Sequence, residues 1–101
     1  MTNHCYTSKK MLWLKVAFIL DRHGGVDKEL SKNSIITLMS NYFPKQTPHT
    51  NSLTPILRPH VRSGIFEFID YTTKHKTVRL IDEQIVREHS AVMERWSKIE
   101  N

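Results

Sequence analysis

Residues 53–66 read LTPILRPHVRSGIF, and the spacing of their apolar side chains changes part of the way along. Four apolar residues first recur at intervals of three, one and four: Leu53, Ile56, Leu57 and Val61. That is the period of an amphipathic helix, and Ser63-Gly64 is typical of a helix end. From Ile65 the chain is rich in β-branched and aromatic residues, which favours a strand. We therefore predict a helix that passes through a glycine turn directly into a strand.

Downstream, the pattern predicts a β-hairpin and one more helix. Residues 65–71 form the first strand, residues 72–76 a polar turn with a basic tip, and residues 77–81 the second strand. Asp82 is placed to cap a last helix that runs to about Ile99.

Upstream, a largely apolar helix is predicted over residues 9–23. Ser8 is its expected N-cap, and Gly24 ends it. A helix that is apolar on nearly all sides is usually central and buried. Val26, which follows, is a lone apolar residue and a candidate for a one-residue strand contact.

A second helix is predicted from about Lys32 to Phe43, because its apolar residues have helical spacing. Pro44 ends it, since proline disfavours helical geometry in the residue before it. Residues 44–52 are polar and contain two prolines, so we expect a turn or loop there.

The predicted order is helix, helix, turn, helix, hairpin, helix. Over about residues 8–81 it resembles the winged helix-turn-helix family, through the residues Leu53, Ile56, Leu57, Val61, Gly64, Ile65 and Phe66. The resemblance implies an α+β, mostly helical fold: three helices and a β-hairpin wing, here with an extra C-terminal helix. Residues 1–7 would be a disordered lead, residues 8–81 the winged-helix domain, and residues 82–101 the C-terminal helix.

Charge favours a nucleic-acid partner. The 101 residues include 15 Lys and Arg against 10 Asp and Glu, for a formal net charge of +5. Residues 44–79 hold six basic and two acidic residues, whereas residues 80–101 hold three basic and five acidic ones. A basic middle section and an acidic end indicate that one part of the domain meets phosphate.

The resemblance further implies that the third helix enters the major groove of double-stranded DNA. The residues that would contact DNA lie before this helix, on it and on the hairpin: Lys45, Gln46, Thr50, Asn51, Ser52, Thr54, Arg58, Arg62, Lys74, His75, Lys76 and Arg79. The expected function is sequence-specific binding of double-stranded DNA as a small transcriptional regulator. The alternative is a winged-helix protein-interaction module, such as a viral inhibitor or assembly subunit. Cations gathered on one face favour DNA, and dispersed cations favour a protein partner.

Pro59 departs from this pattern, because it lies inside the predicted recognition helix. Proline there removes a backbone donor and crowds the carbonyl of residue 55. We therefore predict a helix that is short, kinked near Arg58 or broken in two, whereas Pro55 is acceptable in a first turn.

The last helix carries an apolar seam at intervals of four, three, four and three: Ile85, His89, Val92, Trp96 and Ile99. This is heptad spacing. The seam could pack back on the first helix or form a homodimer, and we expect the dimer, because many DNA readers bind two half-sites.

The pattern does not indicate an enzyme. The chain has no glycine-rich phosphate loop, no nucleophile beside a base and no metal-ligand spacing among its six histidines. We expect no metal, no cofactor and no small-molecule substrate. A single cysteine, Cys5, favours a reducing compartment, and the apolar run at residues 11–20 is too short to span a membrane, so we expect a cytoplasmic location.

Overall fold

The computed structural model describes residues 11–70 and 76–100. Its elements in chain order are α1 (Leu12–His23), β1 (Glu29–Ser31), α2 (Lys32–Tyr42), a 3-10 turn (Pro44–Gln46), α3 (Thr50–Arg62), β2 (Phe66–Asp70), β3 (Lys76–Leu80) and α4 (Glu83–Glu100). Helices predominate over one small antiparallel sheet, so the predicted α+β class is confirmed. The predicted lead, the Ser8 cap and the hairpin tip with Lys74 and His75 lie outside the described residues.

Helix α1 is the centre of the core. Residues 14–20 are all buried, Lys15 among them, and the Lys15 Nζ lies 4.7 Å from the centroid of the Phe43 ring. Gly24 ends the helix as predicted, and its N–H donates to the carbonyl oxygen of Leu20 over 2.9 Å. The apolar circumference of α1 is therefore covered by the elements that follow it in the chain.

The segment between α1 and α2 differs from the prediction. Val26 is 99% exposed, so the expected strand contact there is wrong. The strand lies three residues later, in β1, after a turn in which Gly25 and Lys28 both adopt positive φ angles, 68° and 56°. This turn points Val26 into solvent before the backbone becomes extended.

The three strands pair in the order β1-β3-β2, and both pairs are antiparallel. Phe66 is paired with Leu80, and Phe68 with Val78, so these four side chains share the sheet face that packs on the helices. The predicted hairpin is confirmed; its first strand, Phe66–Asp70, is two residues shorter than predicted, and its second, Lys76–Leu80, has the predicted length but begins one residue earlier.

Helix α3 is neither short nor broken in two, so these two outcomes predicted from Pro59 are wrong, and Pro55 is its sixth residue rather than part of a first turn. The helix runs for 13 residues with Pro55 and Pro59 inside it, and both prolines are exposed. Because the missing donors lie on the exposed side, water can reach the carbonyl groups that they would have bonded. The Pro59 carbonyl oxygen itself accepts the N–H and the hydroxyl of Ser63 at 3.2 and 3.1 Å. The helix also begins before Leu53, with the His49 ring accepting the N–H of Asn51.

Helix α4 packs on α1, and its Asp82 cap is confirmed by a 3.1 Å bond from the Gln84 N–H to the Asp82 carboxylate. Its most buried apolar residues are Val86 and Met93, which the predicted seam omits. The seam residues Ile85, His89, Val92 and Trp96 are half-buried, and the side chain of Ile99 lies outside the description. The inner part of the apolar face of α4 is therefore buried against α1. A homodimer through the outer part of this face stays a prediction.

Helices α1 and α3 are joined by a stacked ring pair. The Trp13 and His60 rings lie 4.2 Å apart between centroids, with 16° between their planes. Burial lowers the pKa of His60 below its ordinary value of 6.5. The imidazole is therefore held neutral between the two helices at neutral pH.

We expect this pair to make stability depend on pH. As the pH falls below about 6.5, the unfolded chain takes up a proton at His60 before the folded protein does, so the free energy of unfolding decreases. Thermal unfolding followed by circular dichroism from pH 7.5 to 5 should show a smaller decrease in Tm for His60→Phe, which keeps a ring against Trp13. Parallel wild-type and variant curves would contradict this.

Candidate nucleic-acid interface

Three cationic side chains converge where the start of α2, the middle of α3 and the start of β3 meet. They line a cleft of ≈ 170 Å³, which we call the basic cleft; its lining residues are Lys32, Thr54, Arg58, Phe68, Asp70, Lys76 and Thr77. Two of the three cations, Arg58 and Lys76, are among the predicted DNA-binding residues, and Thr54 is a third residue from that set.

The sheet brings these residues together. Lys32 follows β1 immediately, and β1 is held beside β3 by the pairing of Ser31 with Thr77. Lys76 stands opposite Asp70 in the β2-β3 ladder. Arg58 comes from α3, which packs on β2. The basic cleft thus depends on contacts between segments that are far apart in the sequence.

The surroundings of Lys32 in the basic cleft disfavour the charged form of its side chain. Burial lowers the pKa of Lys32 below its ordinary value, and repulsion from Lys76 and Arg58 lowers it further, while Asp70 opposes these effects. The ammonium group donates a hydrogen bond to the Thr54 hydroxyl and lies 6.0 Å from the Phe68 ring centroid. Because the neighbouring cations disfavour the charged form of Lys32, an anion placed in the cleft would stabilise all three.

The outer face of α3 adjoins the basic cleft. Its exposed residues are Asn51, Ser52, Pro55, Arg58, Pro59 and Arg62. Residues 50–62 contain no Asp or Glu, so no acid on this helix opposes an approaching polyanion. Of the other predicted residues, Lys45 is exposed in the 3-10 turn before α3, whereas Gln46 and Thr50 are half-buried.

Arg79 is not part of this surface. It is one residue out of phase with Val78 and Leu80, so it lies on the opposite face of the sheet from Lys76. There its guanidinium lies 3.8 Å from the Glu67 carboxylate, the residue paired with it across the hairpin. The structure therefore separates Arg79 from Arg58 and Lys76.

The sequence prediction missed four residues of the basic cleft, of which two are charged, Lys32 and Asp70, and two are not, Phe68 and Thr77. One signal for Lys32 was available, because it is the first residue of α2, directly after the Ser31 cap. A cation is disfavoured at a helix N-terminus by the helix dipole. Its presence at that position indicates a role other than stabilising the helix. No comparable local signal marks Asp70.

A second depression, shallow and of ≈ 470 Å³, lies apart from the basic cleft. Its lining residues are His23, Leu30, Asn33, Ser34, Thr37 and Leu38. At its edge, the His23 ring lies 2.9 Å from the Tyr42 hydroxyl. Within residues 11–70 and 76–100, no three His, Cys, Asp or Glu side chains are grouped so as to hold a metal ion. None of the helices in the described part of the chain combines the length and apolarity needed to cross a bilayer.

Comparison with known proteins adds no relative to this picture: no family model, no curated protein and no solved structure matches the chain.

Proposed function

We propose that the protein is a winged-helix domain that binds double-stranded DNA as a small transcriptional regulator. The order of its elements supports this proposal, because three helices are followed by a hairpin that packs against the third. In this arrangement α3 is the recognition helix and the β2-β3 hairpin is the wing.

The convergence of Lys32, Arg58 and Lys76 in the basic cleft carries the proposal. Three cations gathered at some electrostatic cost are suited to a polyanion, which they would bind through its phosphates. Asp70 lies among them, but the adjoining face of α3 adds Arg62 and no carboxylate. Contacts to phosphate would fix the position of the protein on the duplex, and α3 would meet the bases.

The geometry of α3 fits this role. Its 13 residues give a rod about 20 Å long at about 1.5 Å per residue. The major groove is about 12 Å wide and admits a helix. Because α3 is unbroken, its outer face presents Asn51, Pro55, Arg58 and Arg62 along one line.

A protein partner is the alternative function, since winged-helix domains can serve as interaction modules and fold does not determine function. The exposed prolines of α3 are compatible with it. The clustering of cations beside α3 favours DNA. A homodimer through the outer edge of α4 remains a prediction, and it would present two copies of α3 to two half-sites.

The test is a salt titration of binding to a random-sequence duplex, followed by fluorescence anisotropy. We expect a steep decrease of affinity with salt, and a decrease in the slope of about 1.8 in Arg58→Ala/Arg62→Ala, because each phosphate contact contributes about 0.9. Arg95→Ala/Lys98→Ala removes the same charge from exposed positions on α4 and is the matched control. It should keep nearly the full slope.

Two results would contradict the proposal. Wild-type protein that does not bind the duplex even at low salt would exclude DNA as the ligand and favour a protein partner. Equal losses in the two double variants would show that net charge alone, rather than the face of α3, accounts for binding.

A further inference from the structure

The outer face of α3 carries two exposed proline rings that the fold does not explain. Pro55 and Pro59 are one helical turn apart and face solvent, on the side of the helix away from the buried Leu53 and Leu57. Each proline inside a helix removes a backbone hydrogen bond, and proline is the least favourable residue at an interior helix position. Neither ring offsets this by filling the core.

The neighbours of the two rings are cationic. Arg58 and Arg62 are also one turn apart and adjoin the prolines on the same face. The face therefore combines two positive charges with two rigid apolar rings and no acid. An occupant of this surface should be anionic on the outside and carry small apolar groups about as far apart as the rings.

Duplex DNA has such groups in its major groove, where the C5 methyl of thymine is the apolar feature that side chains contact. Residues four apart in a helix are displaced by about 6 Å along its axis, so the two rings can reach two different base pairs, which rise by about 3.4 Å each along the duplex. We infer that Pro55 and Pro59 select thymine through its methyl group, at two nearby positions in the groove. This inference rests on the proposed function and names the base that α3 reads.

The test compares duplexes that differ only in the methyl group. An alternating A·T duplex is measured beside the same duplex with deoxyuridine in place of thymidine, by anisotropy at one salt concentration. Wild-type protein should bind the uracil duplex more weakly, by about fourfold for each methyl that contacts a ring. A G·C duplex with 5-methylcytosine should likewise be bound more tightly than its unmethylated form.

Pro55→Ser/Pro59→Ser is the decisive variant, because serine has no methyl group to contact thymine and, unlike proline, donates its backbone N–H within a helix, so the protein should remain folded. It should bind the thymine and uracil duplexes with a ratio near one. If wild type binds both duplexes equally, or if the variant discriminates as well as wild type, the inference is overturned while DNA binding stands. If wild type binds no duplex at all, the proposed function fails and the inference falls with it.

Discussion

Gly24→Ala is expected to lower the free energy of unfolding by about 3 kcal/mol, which is the cost of forcing extra volume into a site that cannot accept it. A β-carbon at this position would lie 2.5 Å from the Leu20 carbonyl oxygen, 2.6 Å from the Lys28 carbonyl carbon and 2.7 Å from the Glu29 nitrogen. All three are backbone atoms, so no side chain can rotate away to relieve the clash. The end of α1 would have to separate from the start of β1.

Gly25→Ala is the matched control. Gly25 has φ +68°, and a β-carbon there would meet nothing within 4 Å. Its substitution adds backbone strain of about 1–2 kcal/mol without a clash. Urea unfolding of the two variants beside wild type measures the difference. Equal losses at the two positions would show that the close approach at Gly24 is not what stabilises this turn.

Lys32→Met/Lys76→Gln is expected to weaken binding of the random-sequence duplex on the order of 100-fold at low salt, since each lost charged hydrogen bond contributes about 1.5–3 kcal/mol. The same variant should keep or raise Tm. Burial and the nearby cations disfavour the charge on Lys32, so its removal relieves repulsion in the folded protein. A methionine can occupy much of the space of the lysine chain.

A loss of affinity without a loss of Tm is what identifies Lys32 and Lys76 together as binding residues rather than structural ones. Arg95→Gln/Lys98→Met, on the exposed side of α4, removes the same charge and is the control for both measurements. We expect the control to change affinity much less. If the cleft variant unfolds at a lower temperature and still binds DNA as tightly as wild type, the two lysines serve the fold and the assignment is wrong.

The elements that the sequence predicts well are those with a strong local period. Helices α1 and α2 and the β2-β3 hairpin are all present where apolar spacing and turn residues place them. Strand β1 was missed because Glu-Leu-Ser is too short and too polar to show a period. Its extended form depends on pairing with β3, as between Leu30 and Val78, which are 48 residues apart in the sequence.

The candidate site is predicted only in part from the sequence, because it too depends on pairing between distant strands. Arg58 follows from the helical stripe, and Lys76 from the hairpin. Their meeting with Lys32 depends on β1, and the place of Asp70 depends on its register with Lys76. The prediction that Pro59 shortens or breaks α3 was wrong for a different reason, because a proline on the exposed side of a helix lets water satisfy the carbonyl that it deprives of a partner.

The ring pair between α1 and α3 gives the protein an optical reporter of its own. The chain has two tryptophans, and Trp13 stacks on His60 on the inner side of α3, the helix whose outer side we propose as the DNA contact. Indole emission is sensitive to what stacks on the ring. In a Trp96→Phe variant, the fluorescence of Trp13 alone would therefore report how α3 packs on the core, without any attached dye.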